Sequence, residues 1–319
     1  MQYIARLVRL VRHYCPATAL GEKYKDYEGF LSPKLCLLPF DRFYEKDGRA
    51  NMDKTTLYVP NDYSFKMAAE FPTLFYPVGS VNPYRKDALE ELERCAANGV
   101  RVIKWLPNSM GINPADEKCE PFYVKMKKLD MALLTHVGDE HTVSAAFLDN
   151  SLGNPLLLRR PLDCGVKVIA AHCASEGKGE DIESTAPKKP LVSNYVLLRR
   201  LMDEPKYRET LFADISALVG FLRVPVLKQV LDANEIHDRL VYGSDYPLPC
   251  VNALTRMRQF TSHGLIQPHH VPCLNELYHF NPLLYDLALK RVVRGPKGGR
   301  FEAAIFKEHP KLPQRSQAD

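Results

Sequence analysis

Seven short apolar segments, most of them separated by helical patterns, constrain the fold of this chain more than any other feature of its sequence. The segments span residues 35–40, 75–81, 100–105, 131–136, 167–172, 211–217 and 240–245. The predicted helices span residues 86–98, 115–129, 191–203, 224–234 and 251–263. Two long interruptions, residues 41–74 and 175–190, are predicted as loops at the carboxyl ends of strands, with solvated loops of no function as the alternative. Strands that alternate with helices form a parallel sheet, and 319 residues suit one large barrel. The sequence therefore predicts an α/β TIM-type (β/α)8 barrel with seven of its eight strands visible.

Composition excludes several classes of protein. The 43 basic and 38 acidic residues leave a net charge of +5, too small an excess for a nucleic-acid-binding surface. No apolar run is long enough to cross a membrane, and the basic N-terminus lacks the apolar core of a secretory signal. The eight cysteines contain no Cys-x-x-Cys pair, which is typical of reduced thiols in the cytoplasm. We therefore expect a cytoplasmic protein with a small-molecule substrate and neither a nucleic-acid nor a membrane partner; the pattern leaves a homo-oligomer open.

The ends of the chain differ in character from its middle. Apolar residues spaced by three and four predict an amphipathic helix over residues 1–14. A helical pattern with a break at Asn281-Pro282 spans residues 274–288. We assign residues 1–290 to the barrel domain and residues 291–319, rich in Gly, Pro and Lys, to a basic peripheral tail.

Three of the predicted strands end in a single ionisable residue. They close on His136, His172 and Asp245. At the carboxyl ends of barrel strands such residues commonly carry the chemistry. Each also has a structural alternative, since a lone histidine can bond to backbone in the core and an aspartate can cap a turn. Two imidazoles and a carboxylate are ligands that Zn²⁺ takes, so together they predict a metal site with a position open for water.

At this point the chain resembles a known family. LLTHVG with His136, VIAAHCAS with His172, LFADISAL with Asp214 and VYGSDYPLP with Asp245 resemble the amidohydrolase-related metal-dependent hydrolases, a group that includes decarboxylases and lactonases. The resemblance runs from about residue 35 to about residue 288. It implies that His136 is a metal ligand and that Asp245 is a metal ligand or a base. It also implies that His172 lies beside the metal and polarises substrate or water.

Three further residues are candidates for substrate binding. Lys104, in GVRVIKWLPN, occupies the position of the family's fourth strand, where the resemblance implies a lysine that faces the substrate or supports the site. In some branches the lysine there is carboxylated and bridges two metals; a lysine that only snorkels from a strand end is the structural alternative. Arg85 is a candidate partner for a substrate carboxylate, with ordinary surface charge as the alternative. His141 is expected over the barrel mouth, with a satisfied loop histidine as the alternative.

The chain departs from the family pattern at one point. The family places a His-x-His pair on its first strand, and none of the ten histidines here forms such a pair. The adjacent His269 and His270 cannot substitute, because consecutive side chains on an extended segment point to opposite faces. The opening MQYIARLVRLVRHY resembles the helix that would follow that strand, so we expect that the recorded chain begins late.

Two functional hypotheses follow. The first is a metal-dependent hydrolase that cleaves a C–O or C–N bond of a small molecule through metal-activated water, or a decarboxylase built on the same site, with zinc as the expected ion. The alternative is a catalytically degenerate barrel that acts as a binding or structural protein. Neither a Gly-x-Ser-x-Gly elbow nor a Gly-x-Gly-x-x-Gly loop occurs, which disfavours serine hydrolases and dinucleotide enzymes.

Overall fold

The computed structural model describes residues 34–141 and 147–313. The helix predicted over residues 1–14 lies outside the described residues. Within the described ranges, no helix has both the length and the apolar character that a membrane crossing requires.

The seven predicted strand segments each contain a strand, and all seven strands run parallel. In chain order the strands are β1 (Leu35–Leu37), β2 (Phe75–Pro77), β3 (Val102–Trp105), β4 (Ala132–Thr135), β5 (Lys167–Ala170), β6 (Lys178–Glu180), β7 (Leu191–Ser193), β8 (Leu211–Asp214) and β9 (Leu240–Val241). Five strands form one sheet in the order β3-β4-β5-β8-β9, and β1 pairs with β2. A parallel bridge between Gly79 and Ile103 connects the two sheets. The chain is thus a TIM-type α/β barrel whose wall follows the order of the sequence.

Helices cover the outside of the wall. They are α1 (Asn61–Glu70), α2 (Ala88–Ala97), α3 (Pro107–Met110), α4 (Glu120–Lys128), α5 (Arg159–Asp163), α6 (Asn194–Met202), α7 (Val224–Asp232), α8 (Met257–Ser262), α9 (Val271–Phe280) and α10 (Pro282–Val292). The break predicted at Asn281 is confirmed: its side-chain oxygen accepts from the backbone N–H groups of Leu283 and Leu284, at 3.0 and 3.2 Å, and so caps α10.

The sequence prediction is wrong where two strands form in place of a predicted loop and the start of a predicted helix. We predicted a polar loop over residues 175–190 and a helix from residue 191. Instead β6 and β7 form an antiparallel hairpin with Gly179 opposite Val192, and helix α6 begins at Asn194. The helix α1 likewise lies within the long interruption of residues 41–74, which was predicted as a loop. Both elements are stabilised by contacts with distant segments, which local sequence patterns do not report.

Successive residues along each strand face opposite sides, one toward the helices and the next toward the barrel interior. Ile103, Leu133 and Val168 are aligned in register across β3, β4 and β5 and are fully buried in the core beneath the helices. The next residues along these strands are Lys104, Leu134 and Ile169, also in register. Because side chains alternate along a strand, this second row points into the barrel. Lys104 is therefore placed on the interior face.

A C-terminal segment, residues 301–309, packs against the barrel within the stretch predicted as a peripheral tail. We call it the closing segment. The Ile305 carbonyl accepts from the Tyr242 N–H at 2.9 Å, and the His309 ring lies 2.7 Å from the Asp238 carbonyl, so the segment runs antiparallel to β9. Its Glu308 accepts a hydrogen bond from the Tyr76 hydroxyl on β2. Within the described residues no strand pairs β9 with β1, and the closing segment reaches across this side of the wall.

Candidate active site

The structure brings the two strand-end histidines together. His136 follows β4 and His172 follows β5, and Thr135 and Ala170, near the ends of these strands, are aligned in register. The two imidazole centroids are 5.1 Å apart, and the rings meet edge to face at 62°. Both side chains are buried. The pair thus forms the centre of a candidate site at the carboxyl ends of the strands, where barrels of this type carry their chemistry.

His136 has an acceptor oxygen near each ring nitrogen, and a neutral ring can donate to only one of them. Its Nε2 lies 3.3 Å from the Asp139 carbonyl, and its Nδ1 lies 3.5 Å from a carboxylate oxygen of Glu140. Burial lowers the pKa of His136 to about 4; the charge of Glu140 opposes this shift, and the charges of Lys104 and Arg223 add to it. The imidazole is therefore neutral at physiological pH, which is the form that binds a metal ion.

His172 has a fixed hydrogen-bond arrangement. Its backbone N–H donates to Asp214 Oδ1 at 2.8 Å, and its Nδ1 lies 2.7 Å from the Ser216 hydroxyl. The Ser216 hydroxyl is also hydrogen-bonded to Asp214 Oδ1. A carboxylate only accepts, so the Ser216 hydroxyl donates to Asp214 and its oxygen accepts a hydrogen bond from His172 Nδ1–H. The lone pair of His172 is thereby placed on Nε2.

The backbone that presents His172 is strained. His172, Cys173 and Ala174 have φ angles of 58°, 49° and 48°, which places three consecutive residues with side chains in the left-handed region. Each such residue costs on the order of 1–2 kcal/mol. Asp214 offsets part of this cost, because it accepts the His172 N–H at 2.8 Å and its carbonyl lies 3.1 Å from Cys173 Sγ. Strain of this kind is characteristic of functional sites.

Lys104 lies inside the barrel among acidic residues. Its side chain is buried, and burial lowers the pKa of its ammonium. The charges of Asp214, Asp245 and Glu140, in that order, oppose this shift. The structure therefore places Lys104 within electrostatic reach of these three carboxylates.

Asp245 lies on the turn that follows β9. It comes four residues after the end of β9, is half-buried, and has a left-handed φ of 59°. Its carbonyl accepts from the Leu248 N–H at 2.9 Å, and the Tyr246-Pro247 peptide bond that follows is cis. Its carboxylate acts electrostatically on Lys104. The structure therefore places this aspartate within electrostatic reach of Lys104.

Two other candidates have ionic partners of their own. The Arg85 guanidinium is paired with Asp41 at 3.1 Å and with Asp87 at 2.7 Å. His141 is exposed at the mouth, with its Nε2 3.7 Å from Glu176. It is a rim residue.

The site contains residues to which sequence reasoning gave no role. Ser216 and Asp214 control the His172 ring, Glu140 contacts the His136 ring, and Arg223 pairs with Glu176 at 2.8 Å while acting on both imidazoles. The Asp-x-Ser spacing at the end of a predicted strand was the available signal for Asp214 and Ser216. Glu140 and Arg223 lie in loops that gave none.

The donor atoms fit a divalent ion in kind but not in number. Imidazole and carboxylate, the side-chain types of His136 and Asp245, are suitable ligands. Across residues 34–141 and 147–313, however, no three histidine, cysteine or carboxylate side chains are grouped closely enough to hold a metal ion. This part of the chain therefore presents an incomplete ligand set.

The fold and the site define the class of the protein. It is a TIM-type barrel with buried histidines, a lysine and carboxylates at the carboxyl ends of its strands. A family model for amidohydrolases matches residues 38–253, more than half of the chain. The chain belongs to the amidohydrolase family.

Solved structures that resemble the chain have low sequence identity to it. A TIM-barrel protein of Bordetella bronchiseptica is 15% identical, with 89% of this chain and 92% of that chain covered and a TM-score of 0.49. A putative 2-pyrone-4,6-dicarboxylic acid hydrolase of Pseudomonas putida is 16% identical over 69% and 78% of the two chains, with a TM-score of 0.43. A 5-carboxyvanillate decarboxylase of Novosphingobium aromaticivorans, solved with bound manganese, is 15% identical over 59% of each chain, with a TM-score of 0.40. The comparison with curated proteins finds no match.

Proposed function

We propose that the protein is a metal-dependent hydrolase that cleaves a C–O or C–N bond of a small molecule, or a decarboxylase that uses the same site. The observation that carries the proposal is the hydrogen-bond chain Asp214–Ser216–His172. It leaves an unprotonated nitrogen, His172 Nε2, beside His136 in a buried site. A histidine that served only the core would not require three left-handed residues to present it.

The roles of the residues follow from their positions. His172 Nε2 accepts a proton from water or a hydrogen bond from substrate, while Ser216 keeps the Nδ1 proton in place. His136 and Asp245 would hold the divalent ion, for which zinc is our expectation. When bound, such an ion lowers the pKa of water to about 7 and supplies a nucleophile at neutral pH. Lys104 faces the substrate from the barrel interior, and His141 lies at the entrance. Arg85 stays a candidate partner for a substrate carboxylate, and to act so it would have to exchange its ion pairs with Asp41 and Asp87.

A second candidate function rests on the incomplete ligand set. Without three grouped ligands in the described residues, a barrel that binds a small molecule or a partner without catalysis is the alternative. A cytoplasmic location is part of either proposal, in keeping with cysteines that include no Cys-x-x-Cys pair.

The test combines metal analysis with a substrate panel. The full chain is purified, loaded with Zn²⁺ or Mn²⁺ and analysed for bound metal, then assayed against lactones, amides and aromatic carboxylic acids. We expect bound metal and turnover of at least one class. His172→Asn should lower kcat by about 10²–10⁴-fold, the usual contribution of a general base, and retain the metal. His136→Ala should lose more metal than His172→Ala.

A matched control is His263→Ala, which changes an exposed histidine at the end of α8 and should keep bound metal and kcat. A wild-type chain that binds neither ion and turns over no member of the panel would favour the non-catalytic barrel. Equal metal loss in His136→Ala and His172→Ala would contradict the division of roles between the two histidines.

A further inference from the structure

A fully buried ion pair lies directly behind the turn that carries Asp245. Asp286 and Lys290 are one helical turn apart on α10, with side chains 1% and 0% exposed, and Lys290 Nζ lies 2.8 Å from Asp286 Oδ2. Taking two charges out of water costs more than such a pair usually returns, so burial of an ion pair is weak evidence of a stabilising role. Moreover, Asp286 Oδ1 has no hydrogen-bond partner among the described residues. The pair is therefore poorly explained by stability alone.

The pair is connected to the end of β9 at two points. Lys290 Nζ donates to the Gly243 carbonyl at 2.9 Å, and the Tyr242 hydroxyl donates to Asp286 Oδ2 at 2.9 Å. The ammonium also lies 5.2 Å from the centroid of the Tyr242 ring. Lys290 thus links α10 to the backbone two residues before Asp245.

The position of the Gly243 backbone affects the Asp214–Ser216–His172 chain. A Cβ added at Gly243 would lie 3.1 Å from Ser216 Cβ and 3.7 Å from the Asp214 carboxyl carbon. The turn therefore packs directly on the residues that fix His172. Movement of Gly243 would change both the presentation of Asp245, which is held at a left-handed φ, and its separation from Ser216.

We propose that Lys290 is a positioning residue of the active site, which fixes the Gly243 carbonyl and so sets Asp245 against the Asp214–Ser216–His172 chain. The tetrahedral ammonium donates to Gly243 and to Asp286 at once, while Asp286 and Tyr242 hold it in place. A planar guanidinium presents its donors in a different geometry, and an apolar side chain presents none. The consequence for catalysis rests on the proposed function; the order of the turn does not.

The experiment measures the local order of the turn separately from the stability of the whole fold. Amide hydrogen exchange of the peptide that covers residues 242–251 is followed by mass spectrometry in the full chain. The variants are Lys290→Met and the charge-free pair Lys290→Met with Asp286→Asn, which leaves no buried charge unpaired. We expect at least ten-fold faster exchange in this peptide in both variants, and a Zn²⁺ affinity lower by about 10–100-fold, as for loss of an outer-shell support.

Leu92→Ala, which removes a fully buried side chain of α2, is the control for general destabilisation. It should lower the melting temperature without faster exchange confined to residues 242–251. Tyr242→Phe keeps both charges and removes only the phenol donor; it should accelerate exchange in the same peptide by a smaller factor, and it decides the question if the Lys290 variants do not fold.

Unchanged exchange in the 242–251 peptide, or an equal acceleration in Leu92→Ala, would overturn the positioning role. If wild-type protein binds no Zn²⁺, the proposed metal chemistry is wrong, and the exchange measurement still decides whether Lys290 orders the turn.

Discussion

Replacement of Ile305 by alanine tests whether the closing segment is part of the barrel wall. Ile305 is 1% exposed, and its carbonyl accepts the Tyr242 N–H at 2.9 Å along the free side of β9. Alanine keeps this backbone bond and removes the side-chain atoms beyond Cβ. Truncations of fully buried isoleucine cost about 2–5 kcal/mol, against a total stability of about 5–15 kcal/mol for a typical protein. We therefore expect the variant to lose a large fraction of its stability.

Urea denaturation followed by tryptophan fluorescence provides the assay. Trp105 is the single tryptophan, is fully buried, and donates from its ring N–H to the Val81 carbonyl at 2.8 Å, so its emission reports the barrel. Ile305→Val should cost about 0.5–1.5 kcal/mol. The control is Lys307→Ala, an exposed residue of the same segment, which should change stability by no more than about 0.5 kcal/mol.

The free energy of unfolding of Ile305→Ala could instead lie within about 0.5 kcal/mol of the wild-type value, the range of ordinary surface substitutions. In that case the closing segment contributes nothing to the wall. That result would leave the side of the barrel between β9 and β1 without a described element that stabilises it.

Three further outcomes are expected. Ser216→Ala removes the hydrogen-bond acceptor of His172 Nδ1–H, so it should destabilise the fold by about 1–3 kcal/mol and lower turnover. Ser216→Thr should restore both stability and turnover. A Ser216→Ala variant with full activity would contradict the inferred tautomer of His172. Burial lowers the pKa of His136 to about 4, whereas its unfolded value is near 6.5, so the unfolded chain binds more protons between these values. The melting temperature of metal-free protein should therefore fall as the pH is lowered from about 6.5 to about 4, less steeply in His136→Asn, and an unchanged slope would argue against a neutral His136. Asp245→Asn should remove most activity and weaken metal retention with the fold intact; normal metal content would reduce Asp245 to a turn-capping residue.

Much of the fold follows from local patterns in the sequence. Strand-length apolar runs and amphipathic spacings are properties of neighbouring residues, so the seven strands and the break at Asn281 could be predicted without tertiary information. The same holds for the placement of His136 and His172, because the carboxyl ends of consecutive parallel strands must meet at one edge of the sheet. The family resemblance drew attention to Asp214, without giving it a role, and added the expectation of a metal ion.

What the tertiary structure decided is which partner each side chain takes. Arg85 and Asp41 are 44 residues apart, as are His172 and Ser216, and no local pattern relates them. An arginine in the sequence can bind substrate or a neighbouring carboxylate, and only packing brings one of them within reach. The hairpin of β6 and β7 and the closing segment along β9 arise in the same way, since a strand edge is stabilised by whichever distant segment packs beside it. The sequence determined the types of residue at the mouth of the barrel; the fold determined their protonation, their partners and which of them face one another.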